Sequence, residues 1–78
     1  MPKVLRERGF EVRIYTFDHP PPHVHVAKAG AIVRIDLATF SVTEIVGQIS
    51  DRDVKRAERL VARNAAKLLE VWEKIHGD

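Results

Sequence analysis

Apolar and polar residues alternate through much of the first half of the chain, then recur every three or four positions through its last third. A period of two belongs to half-buried strands, and a period near 3.6 to an amphipathic helix. Phe10, Val12, Ile14 and Thr16 alternate with Glu11, Arg13, Tyr15 and Phe17, which predicts a strand over 10–17. Ala31, Val33, Ile35 and Leu37 alternate with Ile32, Arg34 and Asp36, which predicts another over 31–37. Shorter strands are expected over 3–8, around Val4 and Leu5, and over 23–28. A fifth, over 42–49, leaves its register open, because Val42/Val46 compete with Ile45/Ile49 for the core; Gly47 is a candidate bulge. Arg8-Gly9 and Ala29-Gly30 read as tight hairpin turns in which glycine takes a positive φ. Thr39-Phe40-Ser41 reads as a further turn.

Val54, Ala57, Val61, Ala65, Leu68, Trp72 and Ile75 form one apolar stripe with no proline or glycine between Asp51 and His76. The expectation is one long helix over 51–75. Ser50 is placed to cap it, Asp51 and Asp53 suit the positive end of its dipole, and His76-Gly77 closes it. The stripe must be buried, and a sheet face is the surface available to it. The fold class that follows is α+β: a single domain, residues 1–78, with a small antiparallel sheet of four to five strands and one long C-terminal helix packed on one face.

Between the second and third predicted strands stands Asp18-His19-Pro20-Pro21-Pro22-His23-Val24-His25-Val26. Proline gives no N–H to a ladder, so the run interrupts pairing and delivers a stiff segment into the strand. Alternation then parts the two imidazoles from the two valines. With Val24, Val26, Val12, Ile14, Val33 and Ile35 under the helix, the opposite face collects Glu11, Arg13, Tyr15, His23, His25, Arg34 and Asp36.

That face has three readings: a solvated surface with cross-strand ion pairs, an association surface in which Tyr15, Phe17 and Ile32 sit among charges, and a chemical site. In the third, His23 and His25 are the catalytic candidates, as an acid–base pair with an arginine stabilising an anionic transition state, which suits phosphodiester cleavage of RNA. The same pair can chelate a divalent metal, with Asp36 or Glu11 as third ligand. No other cofactor is indicated. His19, in the proline loop, can join either site, and His76 is expected to interact with the helix dipole. On the helix, Arg52, Arg56, Arg59, Arg63, Lys67 and Lys74 form a stripe opposite the apolar one. Arg56, Arg59 and Arg63 are its nucleic-acid candidates.

Composition narrows the field. The 78 residues are 45% hydrophobic, enough for a core; no cysteine is present, so disulfides and thiolate metal sites are excluded. The net charge of +2 permits an acidic partner without requiring one. No apolar run approaches the roughly 18 residues of a membrane span, and Met1 to Arg6 holds no signal-peptide core, so the expected compartment is the cytoplasm.

Tyr15-x-x-Asp18-His19-x-Pro21-Pro22-His23-Val24-His25-Val26, followed by Ile35-Asp36-Leu37 and a capped helix ending Leu68-Leu69-x-x-Trp72-x-x-x-His76, resembles the small bacterial family called domain of unknown function 4160. The resemblance covers nearly the whole chain. It implies an uncharacterised cytoplasmic αβ domain whose gene often neighbours that of a second small domain, similar to a toxin–antitoxin pair. The expected partner is therefore a small protein encoded nearby, or a second copy of the chain. The family motif falls on Asp18, His19, Pro21, Pro22, His23 and His25, which places the binding site there, with Arg13, Tyr15, Arg34 and Asp36 around it. Where many relatives carry a Trp or His near the helix middle, this chain has Arg63 and Asn64, which points away from the helix as part of a site.

Overall fold

The computed structural model describes residues 3–77. Five strands form one antiparallel meander: β1 (Lys3–Glu7), β2 (Phe10–Arg13), β3 (His23–Lys28), β4 (Ala31–Asp36) and β5 (Val42–Val46), hydrogen-bonded in chain order. Both two-residue hairpins are built as their sequence predicts. Arg8 and Gly9 have φ of 51° and 84°, and Ala29 and Gly30 have 48° and 88°. Two successive positive φ values give the turn whose twist matches the flanking strands, and Gly at the second position carries no Cβ penalty.

Three strands are shorter than their alternation implies. The second stops at Arg13 rather than at 17, because the chain turns back at once: the Asp18 N–H donates to the Tyr15 carbonyl and the Tyr15 N–H to the Asp18 carboxylate, both at 3.1 Å. The fourth ends at Asp36, whose carboxylate accepts the Ala38 N–H (2.7 Å) and starts the turn to β5. The fifth ends at Val46, and Gly47 lies beyond it with φ 90°. The bulge falls instead at Thr43, since Arg34 pairs with Glu44 while Ile35 pairs with Val42.

Val12, Ile14, Val24, Val26, Val33 and Ile35 are all fully buried, so the predicted inner face is the observed one. Ala57, Leu60 and Val61 from one helix and Leu68 and Trp72 from another close over it. At roughly 1.5–3 kcal/mol per large apolar side chain, this layer is the main stabilising contribution.

The expected single helix over 51–75 is two: α1 (Asp51–Arg63) and α2 (Ala65–His76). Ser50 caps the first as predicted, its hydroxyl accepting the Asp53 N–H at 3.1 Å. The break is at Asn64, with φ −115° and ψ 20°. Its side-chain amide donates to the Leu60 carbonyl (2.8 Å), the acceptor that a continuous ladder would give to the Asn64 backbone. That backbone N–H turns to Val61 instead (3.1 Å). The interruption lets α2 leave on its own course and carries Trp72 and His76 to the entrance of β3. Among the described residues, no helix is long and apolar enough to cross a membrane.

Candidate functional site

Three segments meet where the proline run enters the sheet. The Tyr15–Asp18 loop returns a carboxylate over the end of β2. Pro20 to Pro22, with a cis bond between Pro20 and Pro21, leads to His23 at the start of β3. The last turns of α2 arrive from the helix layer.

Asp18, His23 and His25 converge. Asp18 Oδ1 lies 3.5 Å from His23 Nε2, and Oδ2 lies 3.6 Å from His25 Nδ1. One ligand atom from each can be chosen so that all lie within 4.8 Å of one another. His23 Nδ1 is 2.8 Å from the Pro21 carbonyl oxygen. A carbonyl only accepts, so Nδ1 carries the hydrogen, and a neutral His23 turns the lone pair of Nε2 towards Asp18. His25 Nδ1 is shut off from solvent and has no hydrogen-bond partner. Burial holds the His25 ring below the usual imidazole range. The Asp18 carboxylate opposes this, whereas His23 and Arg34 add to it.

The two imidazoles differ in depth. His23 is 2% exposed, which corrects its predicted place on the open sheet face. Its ring is covered by Trp72 (centroids 5.2 Å) and meets His25 at 5.2 Å. Trp72 in turn stacks on His76 at 3.8 Å, and His25 meets the Tyr15 ring at 4.9 Å. The five rings from Tyr15 to His76 thus form a continuous line. His76 also has both nitrogens 3.1 Å from carbonyl oxygens, Nδ1 at Trp72 and Nε2 at Tyr15. The dipole contact expected of it is present, and a tie to the loop is added.

His25 remains on the open face, flanked in register by Arg13 on β2 and Arg34 on β4. Arg13 is tied to Glu11 and to the Tyr15 hydroxyl (3.4 Å), and these hold its guanidinium above the ordinary range, the hydroxyl most strongly. Arg34 Nε is buried without a partner.

The carboxylate that meets the two imidazoles is therefore Asp18, neither of the predicted ones. Asp36 faces His23 across the ladder, but its carboxylate is engaged by the Ala38 N–H, and Glu11 is engaged by Arg13. His19 is exposed and outside the cluster. Trp72 was expected only as core and His76 only as a helix end; both border the site, against the expectation that the helix takes no part. Asp18 is placed in the site by the resemblance to the family motif; the turn that aims it, in which its carboxylate accepts the Tyr15 N–H three residues back, does not follow from alternation.

The family model described as domain of unknown function (DUF4160) matches residues 9–73, most of the chain. The chain belongs to this family. The match runs from the turn before β2 through Trp72, so it takes in the whole Asp18–His23–His25 cluster and the break at Asn64. No curated protein and no solved structure matches the chain.

Proposed function

We propose that Asp18, His23 and His25 hold a divalent transition metal and that the site acts on an anionic ester, a phosphodiester fitting best. The observation that carries this is the convergence of two nitrogen lone pairs and a carboxylate, with the remaining nitrogen of His23 fixed by a backbone carbonyl. Such a carbonyl contact orients a ligating imidazole. Two imidazoles and a carboxylate suit Zn²⁺, Ni²⁺, Co²⁺ or Fe²⁺. Protonation is the competing way to fill the gap. A hydrogen on His25 Nδ1 leaves that ring neutral, so this alternative leaves only His23 to carry a charge against the Asp18 carboxylate. One dication satisfies all three ligands. When bound, it supplies a Lewis acid. Arg34 supplies positive charge beside His25, and Arg13 and Tyr15 bound the other side.

Trp72 is the only tryptophan, and its ring lies beside His23, so metal occupancy has an intrinsic reporter. Chelator-treated protein titrated with Ni²⁺ or Co²⁺ should lose Trp72 fluorescence with one-to-one stoichiometry. Calorimetry should show at least tenfold weaker binding for Asp18→Asn and His25→Ala. Equal affinity in these variants would sink the metal site. Metal binding without cleavage of a labelled RNA strand would retain the site and remove the catalytic half.

A second reading is favoured by β5. It is an edge strand with one free ladder edge, and Ile45 and Val46 are 47% and 55% exposed. Open edges template pairing with another chain. This supports a protein-interaction role in a two-gene, toxin–antitoxin-like module of the cytoplasm, with a small neighbour-encoded protein as partner. Light scattering of the protein alone and mixed with the neighbouring gene product tests it: a monomer that ignores the neighbour defeats it.

A further inference from the structure

A second site lies at the opposite end of β2 and β3 from Asp18. Arg8 in the β1–β2 turn and Arg56, Arg59 and Arg63 on α1 line a cleft of about 310 Å³, with Glu7 at its rim and Phe10 and Leu60 behind it. The cleft collects four guanidiniums against one carboxylate. Glu7 pairs with Arg63 at 2.8 Å, and Arg56 pairs with Asp53 at 3.6 Å. Arg8 and Arg59 have no acidic partner among the described residues. The turn that presents Arg8 is anchored: the Lys28 ammonium donates to the Arg8 carbonyl (3.2 Å) and sits 4.6 Å from the Phe10 ring centroid. Lys67 and Lys74, on α2 beyond the break at Asn64, do not line the cleft.

We infer that this cleft binds the phosphodiester backbone of a single-stranded nucleic acid. Guanidiniums pair with phosphate oxygens through two parallel N–H bonds, and four from two elements can grip more than one phosphate. Arg56 to Arg63 spans about 10 Å of helix axis, longer than one phosphate group. Phe10 and Leu60 are 4% and 2% exposed, so the floor offers no open ring for a base and no apolar anchor for a peptide side chain. Recognition therefore falls on the backbone, indifferent to base and sugar. A cleft of about 310 Å³ takes in a stretch of one backbone. Glu7 competes with the ligand for Arg63 and keeps the empty cleft from collapsing into repulsion.

The inference does not depend on the metal site and is tested with that site silenced. Anisotropy of labelled 12-nucleotide oligo-U and oligo-dT is measured in EDTA at several salt concentrations, with poly-glutamate as competitor. Both oligonucleotides should bind alike. The logarithm of affinity should fall against the logarithm of salt with a slope of about −2, corresponding to three phosphates. Arg59→Ala should weaken binding severalfold and flatten that slope by about 0.7. The triple Arg56→Ala/Arg59→Ala/Arg63→Ala variant should lose at least tenfold. Glu7→Gln, which removes the competing carboxylate, should tighten binding severalfold. Circular dichroism checks that these surface variants keep their helices. Binding untouched by the arginine changes, a marked preference for one base or sugar, or poly-glutamate competing as well as an oligonucleotide would each overturn it.

Discussion

His23 and His25 stand two residues apart on β3, and alternation sends both to the same side of the strand. One ends buried beneath Trp72, with its Nδ1 on a proline carbonyl; the other lies between two arginines with its side chain 19% exposed and its Nδ1 without a hydrogen bond. Period decides a side chain's direction, while its depth is decided by what else reaches that point. His23 opens the strand, where α2 and the Asp18 loop close over it. His25 is one pleat further along, beyond that cover.

The contrast between the two imidazoles depends most on Trp72. Trp72→Ala removes the lid from His23 and should cost about 3–5 kcal/mol in urea unfolding. A cost below about 1 kcal/mol would mean that α2 contributes little to the core. The two histidines should then separate. His23→Ala leaves the Pro21 carbonyl without its donor and empties a buried space, and should cost about 2 kcal/mol. His25→Ala should cost less than about 1 kcal/mol, because the native ring is desolvated and its Nδ1 unpaired. Equal costs, measured with chelator present, would erase the distinction drawn here. The smallest effect on the metal site is expected at Ser50, which belongs to neither surrounding. Ser50→Ala removes the α1 cap and should cost about 1 kcal/mol, leaving Ni²⁺ affinity unchanged. A tenfold change in affinity would show that α1 fraying reaches the site.

Much of the sheet was legible from spacing alone. The hairpins at Gly9 and Gly30, the six inward residues and the cap at Ser50 depend on local rules that little else in this chain opposes. The break at Asn64 was not legible, because Asn is tolerated inside helices, and its amide commits to the Leu60 carbonyl only in the folded context. Leu60, absent from the predicted stripe, is buried because it stands three residues after Ala57 and one before Val61, on the same face of α1. In the site, the two imidazoles could be named from sequence and Asp18 through the family motif, but not which carboxylate meets the imidazoles. Asp18, Asp36 and Glu11 are all within plausible reach of the strand. The competition is settled by a turn amide that occupies Asp36 and a guanidinium that occupies Glu11, and neither contact follows from alternation.

The Tyr15 carbonyl accepts from two directions: the Asp18 amide at 3.1 Å and the His76 ring at 3.1 Å. Helix ends ordinarily open with little cost, one turn at a time. Here, unwinding the last turn of α2 also strips a contact from the loop that aims Asp18, so the two motions are one event. Amide protons at Asp18 and in that last turn should therefore trade with deuterium at a common rate, slower than a free helix end would show.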